Sequence, residues 1–167
     1  MKQLIIVLMV LCSPLLVLSQ DIRGLWTGTM YNDSTKESLH YEIFITKDKG
    51  KWTGFSETWF TINNKQCFGI KKLKIHIAKD GKIVMQDGEL LTHNFPVIPD
   101  KNVDQLNVLD LVTLDNDVIM SGPFATQRTK NYGTLTGSIN VKKVTASNES
   151  TLITYLYNNG NDVTTAQ

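Results

Sequence analysis

Residues 39–62 read LHYEIFITKDKGKWTGFSETWFTI. Two runs rich in β-branched and aromatic residues flank Asp48-Lys49-Gly50, and their alternation has the period of a strand, not of a helix. A turn with glycine third suits a three-residue hairpin loop, type I followed by a left-handed glycine. That loop is expected to oppose Ile45 to Thr53, Ile43 to Phe55, Tyr41 to Glu57 and Leu39 to Trp59. One face would then collect Leu39, Tyr41, Ile43, Ile45, Phe55 and Trp59. The other would collect His40, Glu42, Thr46, Ser56 and Thr58, together with Phe44 and Trp52. Slipping by one residue would oppose Glu42 to Glu57 and mix the faces, so hydrophobic pattern and turn chemistry favour the same register.

Working outward from this hairpin, short β-rich segments continue on both sides with no long 3.6-period stretch among them. The expected strands are Gly24–Tyr31, Leu39–Lys47, Lys51–Ile62, Gln66–Ile70, Lys72–Ala78, Lys82–Leu91, Gln105–Leu114, Val118–Gly122 and Gly133–Val144. Clusters such as Asn32-Asp33-Ser34, Asn63-Asn64, Asp80-Gly81 and Asp115-Asn116-Asp117 separate them. Evenly spaced strands with tight turns predict an all-β domain, an antiparallel up-and-down barrel or strongly curved sheet, with a sandwich as the alternative. Glycine recurs inside strands in Trp26-Thr27-Gly28, Trp52-Thr53-Gly54 and Leu135-Thr136-Gly137, which suits sharp local curvature. Thr92–Asp104, with Pro96 and Pro99, has the length of a lid over one end.

The chain ends bound the domain. Lys2 followed by an apolar run from Leu4 to Leu18, with Val17 and Ser19 at the small-residue positions, reads as a signal peptide over residues 1–20. The run is too short for a membrane span and carries Pro14. The expected localisation is therefore exported, periplasmic or extracellular, with no transmembrane span after cleavage. A single β domain over 21–145 follows, then a tail over 146–167. In that tail the apolar run Thr151–Tyr157 is placed to add a strand or dock on the body, and the last ten residues have almost nothing to bury. Cleavage would remove only Lys2 from 17 basic residues, leaving 16 against 16 acidic ones. A neutral chain is not equipped for nucleic-acid binding by counterion release. One cysteine, Cys67, would remain, so no internal disulfide is available and stability must come from the core.

Glu57 is the outlier of the hairpin, a carboxylate on the expected apolar face beside Tyr41, where burial would raise its pKa. Glu57 is expected near the barrel rim, solvated or bonded to Tyr41, or else as a general acid or a polar handle in a ligand cavity involving Tyr41, Phe55, Glu57 and Trp59. His93, which opens the proline-containing loop, and Arg128, which follows Gly122-Pro123-Phe124, are further ligand-contact candidates. Lys72, Lys74 and His76 share a strand face. A two-residue Asp80-Gly81 turn would oppose Lys74 to Asp87 and Lys72 to Glu89, opposite charges that fit a solvated outer face, whereas a three-residue turn would pair Ile77 with Ile83 and Ile75 with Met85. His40, His76 and His93 lack metal-ligand spacing, and no catalytic triad, phosphate loop or paired-cysteine motif stands out, so no catalytic residue, metal or cofactor is assigned.

Gly24-Leu25-Trp26 at the start of the first strand resembles the Gly-x-Trp opening of lipocalin-type barrels. That resemblance implies a tryptophan closing the barrel base beside an arginine from a late strand, a position Arg128 is expected to fill. The mature chain is also similar to uncharacterised exported proteins of Bacteroidota through Trp26-Thr27-Gly28, His40-Tyr41-Glu42-Ile43 and Gln105-Leu106-Asn107-Val108-Leu109-Asp110. Together these readings lead to a noncatalytic module whose partner is a small apolar or amphipathic ligand. The alternative is an envelope or extracellular protein-interaction module acting through a sheet face, and a hydrolase using Glu57 with a histidine ranks third.

Overall fold

The computed structural model describes residues 21–96, 103–115, 117–130, 133–144, 149–161 and 163; the expected signal peptide lies outside them. Eight strands follow in order: β1 (Gly24–Asn32), β2 (Ser38–Asp48), β3 (Lys51–Ile62), β4 (Lys65–Ile77), β5 (Ile83–His93), β6 (Gln105–Leu114), β7 (Asp117–Thr126) and β8 (Thr136–Val144). Each pairs antiparallel with its neighbours in sequence, and β8 returns to β1, closing an up-and-down barrel. Closure pairs the two outer strands with each other, so that the sheet has no terminal strand. The two expected segments Gln66–Ile70 and Lys72–Ala78 are one strand, β4, because Lys71 does not interrupt it. One helix, α1 (Thr151–Asn158), follows the barrel among the described residues.

The expected register of the first hairpin is corrected. Asp48 pairs with Lys51 and Glu42 with Glu57, around a two-residue turn in which Lys49 (φ 46°) and Gly50 (φ 82°) are both left-handed. That geometry matches the strand twist better than a longer loop. The physical reason lies on both sides of the sheet. Inside, an eight-strand barrel has room for side chains only if large and small ones alternate, and Ile43 and Ile45 of β2 face Ser56 and Gly54 of β3. Outside, Phe44 and Phe55 pair with each other, and α1 covers them with Leu152, Ile153 and Leu156. Both faces are apolar here because both are buried. Phe55, Glu57 and Trp59 therefore leave the interior, and Trp52 enters it.

The barrel has a closed base. Trp26, Ile43, Ile45, Leu73, Met85, Leu109, Met120 and Val141 fill its lower interior. Ile22 plugs the bottom, its carbonyl accepting the Trp26 indole N–H at 3.0 Å. Between β4 and β5 the three-residue turn is the one adopted: Ile77 pairs with Ile83 and Ile75 with Met85, with Gly81 at φ 88°. Three of the interrupting glycines sit where backbones nearly touch. A Cβ would lie 2.1 Å from the Asn140 carbonyl oxygen at Gly28, 2.6 Å from that of Phe44 at Gly54 and 1.9 Å from that of Tyr31 at Gly137. These close approaches bend the sheet tightly enough to close.

Candidate functional site

Above the apolar base the interior changes chemistry. Tyr41 of β2, Ser56 of β3, Lys71 of β4, Asp87 of β5, and Gln105 and Asn107 of β6 form one polar layer toward the mouth. Asn107 donates to the Tyr41 hydroxyl at 3.4 Å and accepts from Gln105 Nε2 at 2.7 Å. Burial pushes the Tyr41 phenol well above its ordinary value, with the nearby Asp87 charge adding to it; hydrogen bonds with Ser56 and Asn107 oppose the shift. The phenol is thus a neutral hydrogen-bonding group in this layer.

Lys71 and Asp87 are the ionic part of the layer. Lys71 Nζ donates to Asp87 Oδ2 at 2.5 Å and to the Val103 carbonyl at 3.1 Å. Asp87 is 5% exposed, and burial raises its pKa despite the charge and hydrogen bond of Lys71 and a bond from the Gln105 backbone amide. The pair stands where the wall opens. β5 and β6 pair along Ile83–Gln86 and Leu106–Leu109, and above that level no ladder between them continues among the described residues. Lys71 reaches across to the chain entering β6 and bridges this seam.

Aromatic rings gather at the mouth. Phe95 follows β5 and turns over the barrel rim, 5.0 Å from the Phe60 ring and 4.7 Å from the His93 ring, with Gly69 directly beneath it. Asn94 anchors this turn: its backbone and side chain make hydrogen bonds with Phe68 and Gln66 of β4. His93 Nδ1 accepts the Phe95 amide at 3.1 Å. Cys67 is buried beside this rim, opposite Phe60. Residues 97–102 of the expected lid lie outside the described residues.

The sequence-derived candidates separate into four places. Tyr41 lies in the polar layer and His93 at the mouth. Phe55, Glu57 and Trp59 lie on the outer face, where Trp59 packs on Phe68 at 5.1 Å. Arg128 is exposed beyond the mouth end of β7, at the opposite end from Trp26. The cation over Trp26 is Lys143 of β8, 5.8 Å from the ring, which also donates to the Asp21 carbonyl at 2.8 Å. Strand order explains the correction: β8, not the end of β7, returns beside β1 at the base.

Lys71, Asp87, Gln105 and Asn107 escaped the sequence reading. Lys71 had been read as a break between strands, and the two-residue turn would have placed Asp87 outside. Their signal was register. Gln105 and Asn107 alternate with the core residue Leu109, and Asp87 continues Ile83 and Met85 along one face.

Glu57 meets a second carboxylate, Glu42, across the strand pair. Both are buried under α1, so they do not line an open cleft. Among the described residues no cluster of three or more His, Cys, Asp or Glu side chains is arranged to hold a metal ion. No helix among them is long and apolar enough to cross a membrane.

No protein-family model matches the chain, and no curated protein or solved structure is significantly similar to it.

Proposed function

We propose that this protein is an exported, noncatalytic β-barrel module that binds a small amphipathic ligand at the barrel mouth. The observation that carries this reading is the polar layer of Tyr41, Lys71, Asp87, Gln105 and Asn107, set between a solid apolar base and an aromatic rim. A barrel needing only stability is better served by hydrocarbon at those positions, since a buried ion pair seldom recovers its desolvation cost. Lys71, whose side chain is 29% exposed, offers a cation for a polar headgroup, while Phe60, His93 and Phe95 offer an apolar rest. The lipocalin-like resemblance belongs to the same proposal; Trp26 under Lys143 at the closed end is consistent with it.

Titration with single-chain amphiphiles, followed by two-dimensional NMR, tests this reading. Shifts are expected at Lys71, His93, Phe95 and Asn107, and not at Trp26 or Leu111. No perturbation at the mouth would overturn it.

The second reading, an interaction module acting through a sheet face, has its own support. The outward face of β6 exposes Leu106 (45%), Val112 (48%) and Leu114 (60%). Phe44 and Trp52, the aromatics expected on the polar face of the first hairpin, are respectively under α1 and in the interior. Shifts confined to the β6 strip on addition of envelope extract would favour this alternative.

A further inference from the structure

The carboxylates beneath α1 have no part in the mouth site, yet they form one of the most specific polar contacts in the molecule. Glu42 and Glu57 are cross-strand neighbours on the outer face. The two residues that start the helix each donate to one of them: Ser150 Oγ to Glu42 Oε2 at 2.6 Å, and Thr151 Oγ1 to Glu57 Oε2 at 2.5 Å. Ser150 is also the N-cap, accepting the Ile153 amide at 3.1 Å. Glu57 is 0% exposed, and its Oε1 lacks a hydrogen-bond partner among the described residues. A neutral carboxyl tolerates that position far better than a carboxylate facing a second one.

We propose that α1 is an acid-held strap, docked on the barrel while Glu57 carries a proton and loosened when Glu57 ionises, uncovering the apolar sheet face of Leu25, Phe44, Phe55 and Ile70. An eight-residue helix has little stability apart from its docking, so its attachment is a small difference between burial and ordering. The charged surroundings of Glu57 are few. β2 contributes Glu42, and also His40, whose Nε2 lies 3.4 Å from Glu42 Oε1 and supplies a counter-charge when protonated. β4 places Ile70 opposite Glu57, and its nearest outward cation is Lys72, opposite Phe55. α1 has no acidic residue in its first turn and no basic one in its last, and its titratable groups are Tyr155 and Tyr157. Burial is the main cause raising the Glu57 pKa, and Glu42 adds to it; the Thr151 hydroxyl, the Trp59 indole and His40 oppose it. A carboxyl raised on docking contributes stability that is complete below its undocked value of 4.5 and is lost as pH climbs through the docked value. The strap therefore tightens in acid.

Hydrogen exchange of the Ile153–Asn159 amides, corrected for the intrinsic pH dependence of exchange and compared between pH 4.5 and pH 8, tests the strap. Protection in the unmodified protein is expected to fall about tenfold at the higher pH, as it does when a local opening becomes easier, while amides of Ile43 and Leu109 stay protected. Glu57→Gln, neutral at every pH, is expected to hold α1 equally at both. The proposal is overturned if wild-type protection is the same at both pH values. It is equally overturned if Glu57→Gln keeps the full pH dependence, which would place the sensor elsewhere. Should Glu57→Gln disturb the barrel amides, Glu42→Gln supplies the second variant: removing the neighbouring charge must weaken the pH dependence, and an unchanged dependence again refutes the mechanism.

Discussion

Gly137 has no side chain to place, but at its position one would be decisive. Its Cα faces the Tyr31 carbonyl across the β8–β1 closure, and the Phe124 ring also crowds the vacancy at 2.6 Å. Backbone cannot yield as a flexible side chain does, so a methyl here must push two strands apart at the seam that closes the barrel. Gly137→Ala is therefore expected to cost about 3 kcal/mol, the upper part of the range for overpacking. Gly133→Ala, with nothing within 4 Å and no left-handed φ, should be neutral or raise stability by a few tenths of a kcal/mol by restricting the unfolded chain. Chemical denaturation of the two variants side by side checks the contrast; equal midpoints would mean that the closure is looser than this geometry. That these glycines mark curvature was legible in the sequence, because glycine in a β run seldom has another reason. The identity of the touching backbones was not, since it depends on which strands become neighbours.

At the scale of elements, the lesson lies in β2, β3 and α1. Alternation of apolar and polar residues identified both strands, yet it misjudged their register, because it treats the outer face of a sheet as wet. Here α1 covers that face, so Phe44 and Phe55 point outward and remain buried. Glu42, expected on the polar face, and Glu57, expected on the apolar one, are both acceptors for the helix start. The tail residues Thr151–Tyr157 showed an apolar run, but nothing in seven residues distinguishes a docking strand from a docking helix; the N-cap bond of Ser150 decides it. Ser150 thus has two partners, Glu42 through its proton and Ile153 through its lone pair. Ser150→Ala removes both, and should cost about 1–2 kcal/mol, the range of a strong N-cap. The loss should appear first as faster exchange in α1, with the interior strands β1 and β6 unaffected. Equal loss of protection throughout the barrel would mean that helix and barrel unfold as one unit.

For the whole molecule, every strand pairs with its sequence neighbours, so the fold was legible from strand spacing and turn chemistry alone. What the spacing cannot give is the polar sector of the interior, where Tyr41, Lys71, Asp87 and Asn107 face the apolar Met30, Phe124 and Ile139 of β1, β7 and β8, because that depends on which interior positions lie at the same height. The Lys71–Asp87 pair is the test of whether this sector serves stability or binding. Breaking the pair by Lys71→Met alone leaves Asp87 buried without its partner and is expected to cost about 3 kcal/mol, the lower end for such a loss because Lys71 retains solvent contact. Replacing both, Lys71→Met with Asp87→Leu, restores a matched apolar contact and should recover that loss or exceed the parent by about 1 kcal/mol. If the layer exists for binding, the stabilised double variant should no longer respond to amphiphiles at the mouth, while α1 keeps its pH dependence. Thermal melts with and without ligand separate the outcomes. A double variant less stable than the single one would make the ion pair a structural element, and would remove the main physical argument for a ligand at this end of the barrel.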